Sequence, residues 1–544
     1  MSLKEVKKKI AAVKPTLIDR FVEWRDPVKG LERRKARVAL ALAGSYNGAS
    51  RSRKSMQTWG TSGGDADADT LYDLPTLRER SRDLVRNNPL AAGAINVKVG
   101  NVVGTGLKLQ SQIDYEFLGL TEEEADAFQR NAEREFAIWA ESQDCDITRT
   151  QNFYGLQDLA FRSTLENADA FALLPYIERN NRVYSLAVQL IESDRVCNEG
   201  WKADSDRLAG GVEKDEYGAP VRYHILKQHP GAIRGIKGRG EWVKVDAFGG
   251  ETGRRNVLHL YRKLRVGQTR GVPDLAPVIE SLKQLGDYTE AELTAAVVSG
   301  LFTVFVHTEG DFSFAEIAEY RDKFGQSSDG EIKMGKGAMI DLGLNEKVDI
   351  ANPGRPNQAF DPFVQAILRQ IGTALEIPFE LLIMQFNSSY SASKAAFETA
   401  WTFFRNRRKW LADNFCRPIY EAWMIEAVAL GRIKAPGFMR DPAIRAAYLG
   451  SQWIGPAKMV LDMTKEANGR AIMEDRGWTT AATNTAELTG SDWETNQRQR
   501  AKEVRMQQEG STAPQPKAVT EPTAKPAPEE TEPDEGDADK RNPA

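Results

Sequence analysis

One predicted helix, over about residues 272–300, constrains this fold more than any other feature of the sequence. Gly267, Gly271 and Pro273 mark a turn before it. One face repeats apolar residues at helical spacing: Leu275, Val278, Ile279, Leu282 and Leu285. The other face carries a single lysine, Lys283, among acidic residues: Asp274, Glu280, Asp287, Glu290 and Glu292. An apolar, β-prone run follows at 301–306, and a long acidic helix that leads into a small β-containing module predicts a channel wall rather than a catalytic pocket.

Length and composition limit the class of protein. A chain of 544 residues is too long for one ordinary core and predicts about two to four subdomains. A hydrophobic content of 41% with 28% charged residues is typical of a soluble, packed protein. No apolar run approaches the roughly 18 residues of a membrane-spanning helix, and the basic N-terminus lacks the apolar core of a signal peptide. We therefore expect a protein made and kept in a cytoplasm, without a membrane partner and with three free cysteines: Cys145, Cys197 and Cys416.

Charge is distributed unevenly along the chain. Residues 1–54 hold fifteen Lys or Arg against five Asp or Glu, whereas residues 511–544 hold eight acids against four bases and seven prolines. The C-terminal tail cannot bury enough surface to offset its ordering entropy, so we expect it to be disordered. The basic N-terminal arm predicts a contact with nucleic acid or with an acidic partner, but a solvated, mobile terminus explains it equally well.

Local signals predict a mixed α+β block followed by a helix-rich half. Helices are indicated at 74–88, at 121–142 after a capping box, and at 155–167, with strands between 101 and 261. After the acidic helix, an α/β module leads to a second helix at about 361–377 and then to a loop. A very long helix follows at 394–428, with an interruption expected at Pro418, and a largely helical region lies beyond it.

No catalytic, metal or cofactor site is predicted. Four histidines (His224, His229, His259 and His307) show no metal-binding pairing, and Gly104 and Gly106 lack the lysine and the third glycine of a phosphate loop. Two acidic groups leave a metal-dependent nuclease open as an alternative: Asp341 with Glu346 and Asp349, and Asp204 with Asp206 and Glu213. A basic cluster could touch a phosphate backbone, although a solvated or subunit-bridging helix face is the simpler interpretation: Arg405, Arg407, Arg408 and Lys409.

Several specific strings occur in order along the chain. The most specific is R-V-G-Q-T-R-G-V-P-D-L-A-P-V-I at 265–279. Others are L-R-E-R-S-R-D-L-V-R-N-N-P-L-A at 77–91, N-V-V-G-T-G-L-K-L-Q at 101–110, E-I-P-F-E-L-L at 376–382 and W-I-G-P at 453–456. Together these strings resemble the lambda family of bacteriophage portal proteins. The resemblance covers about residues 70–480, so expectations for the two termini depend on composition alone.

The resemblance implies an α+β portal fold, assembled as a dodecameric ring around a channel at one vertex of a phage head. Its parts are expected as an N-terminal arm (1–73), wing (74–271), first stem helix (272–300), clip (301–358), second stem helix (359–382), tunnel loop (383–392), kinked wing helix (393–429), helical crown (430–495) and extended, largely disordered tail (496–544). Partners implied are double-stranded DNA, the terminase large subunit, head-completion or adaptor proteins, the major capsid protein and scaffold. The protein itself would be no enzyme, and it would reside in the virion after assembly in the host cytoplasm.

Two sets of residues are expected to line the channel. The resemblance places an uncharged loop at its narrowest part: Met384, Gln385, Phe386, Asn387, Ser388, Ser389 and Tyr390. It places a charged stripe along the stem: Glu280, Lys283, Asp287 and Glu290. An acidic lining would repel the DNA backbone and let the duplex slide. Another phage structural protein, such as a scaffold or minor capsid component, remains the main alternative to a portal.

Overall fold

The computed structural model describes residues 16–42, 49, 54–61, 63–232, 240–300, 304–308, 346–350, 359–385, 389–460 and 462–510. The chain divides into two compact units, residues 1–70 and residues 71–544. The smaller unit contains a helical hairpin of α1 (Leu17–Arg25) and α2 (Pro27–Leu42). Thr16 and Asp19 form a capping box at the start of α1, and Asp19 also pairs with Arg33 and Arg37 of α2. The expected flexible arm over 1–73 therefore contains two helices, and composition alone does not reveal the Asp19 ion pairs that join them.

The first half of the larger unit alternates helices and short strands. Its helices are α3 (Leu74–Asn87), α4 (Pro89–Val102), α5 (Tyr115–Leu118), α6 (Glu122–Ala140) and α7 (Phe153–Asn167). Its strands are β1 (Lys108–Ser111), β2 (Asp169–Leu173), β3 (Gln189–Ile191), β4 (Leu208–Ala209), β5 (Val212–Lys214), β6 (Pro220–Leu226), β7 (Trp242–Asp246) and β8 (Val257–Tyr261). The predicted capping box is confirmed, since Thr121 and Glu124 bond reciprocally at the start of α6.

The second half is mostly helical. It comprises α8 (Ile279–Gly300), β9 (Val304–Thr308), β10 (Glu346–Ile350), α9 (Phe360–Ala374), α10 (Phe379–Leu382), α11 (Tyr390–Leu411), α12 (Arg417–Ala429), α13 (Pro442–Tyr448), β11 (Ser451–Ile454), α14 (Met463–Asp475), α15 (Ala481–Thr489) and α16 (Trp493–Gly510). No described helix is both long and apolar enough to cross a bilayer. Most of the α/β module expected after the acidic helix lies outside the described residues.

Four small antiparallel sheets occur in the described ranges. β2 lies between β3 and β8, and β4 to β7 form a meander in chain order. β9 pairs with β10 through the register Val306 to Val348. β1 pairs with β11 from Lys108 opposite Ile454 to Ser111 opposite Ser451. This last pairing joins segments more than 300 residues apart in the chain.

An aromatic core holds the first half against α12. Phe136 of α6 makes edge contacts with Tyr420 and Trp423 at ring-centroid distances of 5.5 and 5.1 Å. Phe153 of α7 stacks on Phe415 at 5.9 Å. All these side chains are buried, so Phe415, Tyr420 and Trp423 form a packed core face.

The interruption of the long helix lies one turn before the expected position. Residues Ala412–Cys416 form a π-helical turn, and Pro418 falls in the first turn of α12. A proline ring cannot donate a hydrogen bond and clashes with the preceding turn, so the wider turn relieves that clash without breaking the helix.

One expected boundary differs from the structure. The extended tail was expected from residue 496, but α16 continues to Gly510 with an ion pair of 2.6 Å between Glu494 and Arg498. Side-chain pairs four residues apart support a helix here that overall composition does not reveal. Within the expected crown, Phe438 and Tyr448 pack in the main core and β11 pairs with β1, and the bounds of the crown stay a prediction.

Candidate functional site

The two helices α8 and α9 pack side by side. Leu282 and Leu285 of α8 and Leu368 and Ile371 of α9 are buried in the main core. Tyr288 of α8 stacks on Phe360 at 5.5 Å and makes an edge contact with Phe363 at 5.3 Å. Apolar residues spaced three and four apart on both helices explain this pairing.

The charged stripe lies away from this packed face. Glu280, Lys283, Asp287 and Glu290 follow one another at steps of three, four and three residues, so they share one side of α8. All four are exposed in the single chain. Lys283 pairs with Asp287 at 2.6 Å, and Glu280 accepts a hydrogen bond from Gln284 at 3.2 Å. The stripe is therefore open to solvent, to a neighbouring subunit or to a ligand.

A network of ion pairs lies where α8 begins and α9 ends. Asp274, which precedes α8, pairs with Lys98 of α4 and with Arg407 of α11 at 3.3 Å. Arg407 also lies 3.7 Å from Glu376, at the end of α9, and Glu376 pairs with Arg262 at 3.2 Å. Burial would raise the pKa of Asp274, but Lys98 and Arg407 outweigh burial and lower it. This network joins both helices to α4 and α11, and local sequence patterns gave no signal for it.

The segment between α9 and α11 is short and tightly turned. Glu376 has φ of 59° and Met384 has φ of 53°, values that cost energy for residues other than glycine. At Glu376 the turn ends α9, where the Ile377 amide donates to the Gly372 carbonyl at 2.9 Å. The Gln385 amide donates to the Glu380 carbonyl at 3.0 Å.

The predicted tunnel loop is only partly described. Met384 is 67% exposed, and Gln385 and Ser389 are also exposed. Tyr390 begins α11, so the helix starts a few residues earlier than the predicted loop end at residue 392. Phe386, Asn387 and Ser388 lie outside the described residues. A role for this loop in a channel stays a prediction.

The basic cluster divides into two inward and two outward side chains. Arg408 donates to the carbonyls of Asn101, Val102 and Pro456 at 3.0–3.2 Å, and burial lowers its pKa to about 10. Arg407 belongs to the Asp274 network. Arg405 and Lys409 have side chains 61% and 76% exposed, in contact with Glu487 and Asp413. For the external contact predicted for this cluster, only Arg405 and Lys409 have suitable exposure.

The most specific sequence string, at 265–279, serves the core as well as the start of α8. Arg270 is 1% exposed, and its guanidinium donates to Asp169 and to the carbonyls of Ser193, Val196 and Gly210. These contacts use the five N–H donors that an arginine offers. Gly271 is required beside it, because a Cβ there would lie 2.0 Å from the Ala168 carbonyl oxygen.

Asp169 is the centre of this buried cluster. Besides Arg270, it accepts a hydrogen bond from Arg78 at 3.2 Å and lies 3.3 Å from the His259 ring nitrogen. Burial alone would raise its pKa, but Arg270, Arg78 and the His259 hydrogen bond hold the pKa well below the ordinary value. Desolvation lowers the pKa of His259 despite the carboxylate beside it. The cluster is closed to substrate, so it fixes architecture rather than chemistry.

Two of the acidic residues weighed for metal binding have other partners. Asp204 accepts hydrogen bonds from Asn198 and Gly210, both at 2.8 Å, while Glu213 lies 3.1 Å from His224. Asp341 lies outside the described residues. A Cβ at Gly106 would meet Tyr154 at 2.4 Å, so this glycine permits close packing there.

One group in the described ranges has the composition of a metal site, namely Glu192, Asp194 and His229. Arg82 already pairs with both carboxylates. The His229 Nδ1 accepts the Gly231 amide proton at 3.0 Å, so the neutral ring carries its proton on Nε2, toward the carboxylates. The group is thus an ion-pair cluster. Cys145 and Cys416 are buried and Cys197 is half-buried, and all three are free as expected.

Comparison with known proteins gives a consistent result. The model of the family "Phage portal protein, lambda family" matches residues 52–408. The chain is 24% identical over 459 residues to portal protein B of Escherichia phage lambda, covering 80% of this chain and 85% of that protein. It is 24% identical over 461 residues to the portal protein of Escherichia phage N15, covering 80% and 86%.

A solved structure described as the virion of a native gene transfer agent particle matches with a TM-score of 0.39 and 13% identity, over 76% of this chain and 92% of that one. Another, the neck of that native particle computed with C12 symmetry, matches with a TM-score of 0.38 and 12% identity, over 76% and 94%. The family match extends over more than half of the chain, from residue 52 to Arg408 near the end of α11. The chain therefore belongs to the lambda family of phage portal proteins, the structural, non-enzymatic virion components that form the capsid-vertex connector through which DNA passes.

Proposed function

We propose that twelve copies of this chain form a closed ring in which α8 and α9 of each copy make the channel wall. The observation that carries this proposal is the exposed stripe of Glu280, Asp287 and Glu290 on the side of α8 opposite its buried leucines. A helix in a monomeric protein can leave such a face to solvent. In a head-to-tail ring, the same face can point toward the axis in every copy.

An acidic stripe suits a channel that DNA must traverse. Each stripe has three carboxylates and one lysine, which pairs with Asp287. Repeated around a ring, the stripe produces a field that repels the phosphate backbone, whose contacts otherwise dominate DNA affinity. A lining rich in lysine and arginine would hold the duplex in place. Repulsion from all sides keeps it centred and free to slide.

The remaining parts follow from the chain order. The first half, with α11, α12 and β11, forms the wing; 301–358 forms the clip; and the helices beyond β11 form the crown. We assign the loop around Met384 and Ser389 to the narrowest part of the channel, because it is exposed and joins the second stem helix α9 to the wing. The clip would dock the terminase large subunit during packaging and head-completion proteins afterwards. The major capsid protein and scaffold would contact the outer wall.

Electron microscopy of the purified protein tests the ring directly. We expect closed rings with a central hole, and a population that stays monomeric at all salt and protein concentrations contradicts the proposal.

Charge substitutions test the position of the stripe. The triple variant Glu280→Lys, Asp287→Lys and Glu290→Lys should form rings but slow DNA packaging or release, with the defect shrinking as salt rises. A matched control, Glu122→Lys, Glu123→Lys and Asp126→Lys, changes the same charge on the exposed start of α6, outside the assigned channel. Equal packaging by both variants would show that the stripe does not face DNA.

A single substitution tests the loop. Gln385→Lys adds one positive charge per subunit at the proposed constriction, so retention of DNA should increase at low salt. Ring assembly should be unchanged, because Gln385 is exposed and exposed loop positions contribute little to stability. Unaltered packaging and retention at both low and high salt, in correctly assembled heads, would place the loop away from DNA.

A further inference from the structure

A positively charged groove runs beside the π-helical turn. It has a volume of about 420 Å³ and is bounded by the end of α11, the start of α12, the strand β11 and α15. Its cationic side chains are Arg405, Arg408, Lys409 and Arg417, and its carboxylates are Asp413 and Glu487. Four cations against two carboxylates leave the groove with a net positive charge.

The outward cations of this groove can take further acceptors. Arg405 lies 3.7 Å from Glu487, and Lys409 and Arg417 share Asp413 at 2.9 and 3.2 Å. Arg417 also donates to the Ser451 carbonyl at 3.3 Å. Two arginines and one lysine offer about thirteen N–H donors, many more than these contacts use. Because exposed ion pairs contribute only about 0–1 kcal/mol each, an incoming carboxylate can share or replace them.

The chain itself contains a segment of matching charge. Residues 529–539 hold seven Asp or Glu and no Lys or Arg. The segment follows α16, which begins at Trp493, next to Asp492, and Asp492 accepts a hydrogen bond from Gln110 of β1. Gln112, directly after β1, lines the groove. The start of α16 is thus anchored to the same strand that flanks the groove.

The length of the intervening chain permits a return to the groove. α16 has 18 residues, so its two ends lie about 27 Å apart at about 1.5 Å per residue. The eighteen residues 511–528 can span at most about 60 Å. An acidic segment carried by this linker can reach the groove of its own subunit or of an adjacent one.

We propose that the acidic segment 529–539 of this chain binds in the groove formed by Arg405, Lys409 and Arg417. A few residues of an extended acidic peptide fit a groove of this volume, whereas a DNA duplex is too wide to enter it and could contact only the rim. The contact is electrostatic, so it weakens with salt. It does not depend on where the channel lies.

Zero-length cross-linking of the intact protein tests the proposal. A carbodiimide joins the Lys409 amine to a carboxylate only when the two are in contact. We expect an amide between Lys409 and a carboxylate of 529–539 at low salt, falling about threefold or more at 0.5 M salt. The Lys409 link to Asp413, four residues away on the same helix, provides an internal reference.

Charge neutralisation gives the matched comparison. Arg405→Gln with Arg417→Gln removes two cations from the groove, leaves Lys409 in place, and should lower the yield of the tail link about threefold or more. Arg500→Gln with Lys502→Gln removes the same charge from exposed positions on α16, outside the groove lining, and should leave the yield unchanged.

Three results would overturn the proposal. One is a Lys409 link to Asp413 alone at low salt in the parent protein. A second is coupling of 529–539 to the lysines of residues 1–14 instead, which would pair the acidic tail with the basic arm. The third is retention of a DNA duplex that depends on Arg405 and Arg417 in the absence of any tail link, which would assign the groove to nucleic acid.

Discussion

The Asp169 cluster buries its charged side chains and pairs them fully, whereas the α8 stripe exposes its charged side chains. In the cluster, Arg270 is 1% exposed and every guanidinium N–H has an acceptor. In the stripe, Glu280, Asp287 and Glu290 are exposed, and Glu280 and Asp287 contact neighbours on the same helix. Both regions belong to or adjoin the 265–300 segment that dominates the sequence.

The difference distinguishes residues that stabilise the single chain from residues that are available for contacts with other molecules. A buried charge is tolerated only when it is fully paired, so Asp169 and Arg270 fix the fold of the single chain around β2. An exposed stripe contributes little to folding and is free to be selected for interaction. We therefore expect substitutions in the cluster to change stability, and substitutions in the stripe to change function.

The largest expected effect is at Arg270. Arg270→Met leaves Asp169 buried with one arginine fewer and unpairs three carbonyls, so the free energy of unfolding should fall by about 3–5 kcal/mol. Denaturant unfolding followed by tryptophan fluorescence measures it. Arg80→Met, an exposed arginine of α3, is the control and should change stability by less than about 0.5 kcal/mol. Similar losses from both variants would remove the distinction between the two regions.

A smaller loss of stability is expected at Asp274, which precedes α8. Asp274→Asn leaves the buried Lys98 without its carboxylate, which should cost about 2–4 kcal/mol. Asp287→Asn, whose partner Lys283 is exposed, is the matched control. If the two asparagine variants unfold at the same denaturant concentration, the Asp274 network does not hold the helix pair.

Glu133 tests a case between the two regions, a half-buried carboxylate among like charges. Burial, with Asp492 and Glu494 nearby, raises its pKa to about 7 despite the Ser111 amide it accepts. A raised carboxyl pKa means that the folded state holds a proton longer, so this residue lowers stability as pH rises from about 4.5 to about 7.

Glu133→Gln should remove that dependence and make the variant more stable than the parent at pH 8, with little difference at pH 4. Thermal unfolding of the parent and the variant at the two pH values measures this difference in stability. Glu141→Gln at the end of α6 is the control. A parent and variant with parallel pH profiles would contradict the raised pKa.

The smallest stability effect belongs to the stripe. Glu280→Gln, Asp287→Gln and Glu290→Gln should each shift the unfolding free energy by no more than about 0.5 kcal/mol, because exposed ion pairs contribute little. Denaturant unfolding of the three single variants measures this. A loss above 2 kcal/mol for any of them would mean that the stripe is structural in the isolated subunit.

Local signals in the sequence were sufficient to predict many helices and strands and to identify the family. Pro75 marked the start of α3, the pair Thr121 and Glu124 marked α6, and the apolar period at 275–285 marked α8, since caps and periodicity act within a few residues. The Asp274 network and the β1–β11 pairing were missed because their partners are far apart in sequence. The acidic stripe was visible as a pattern, but its direction in an assembly depends on neighbouring copies, which a single chain does not contain.

The pairing of β1 with β11 has a consequence for biosynthesis. The ribosome must add 343 residues after Lys108 before Ser451 exists, which takes about 17–70 s at about 5–20 residues per second. Throughout that time one edge of β1 is unpaired, and an unpaired strand edge can pair with a strand of another chain. The strand β1 is only four residues long, K-L-Q-S, and mostly polar, which limits the risk of such pairing. The first half of the larger unit thus lacks the strand that pairs with β1 until most of the chain has been translated, so its folding cannot be completed early in synthesis.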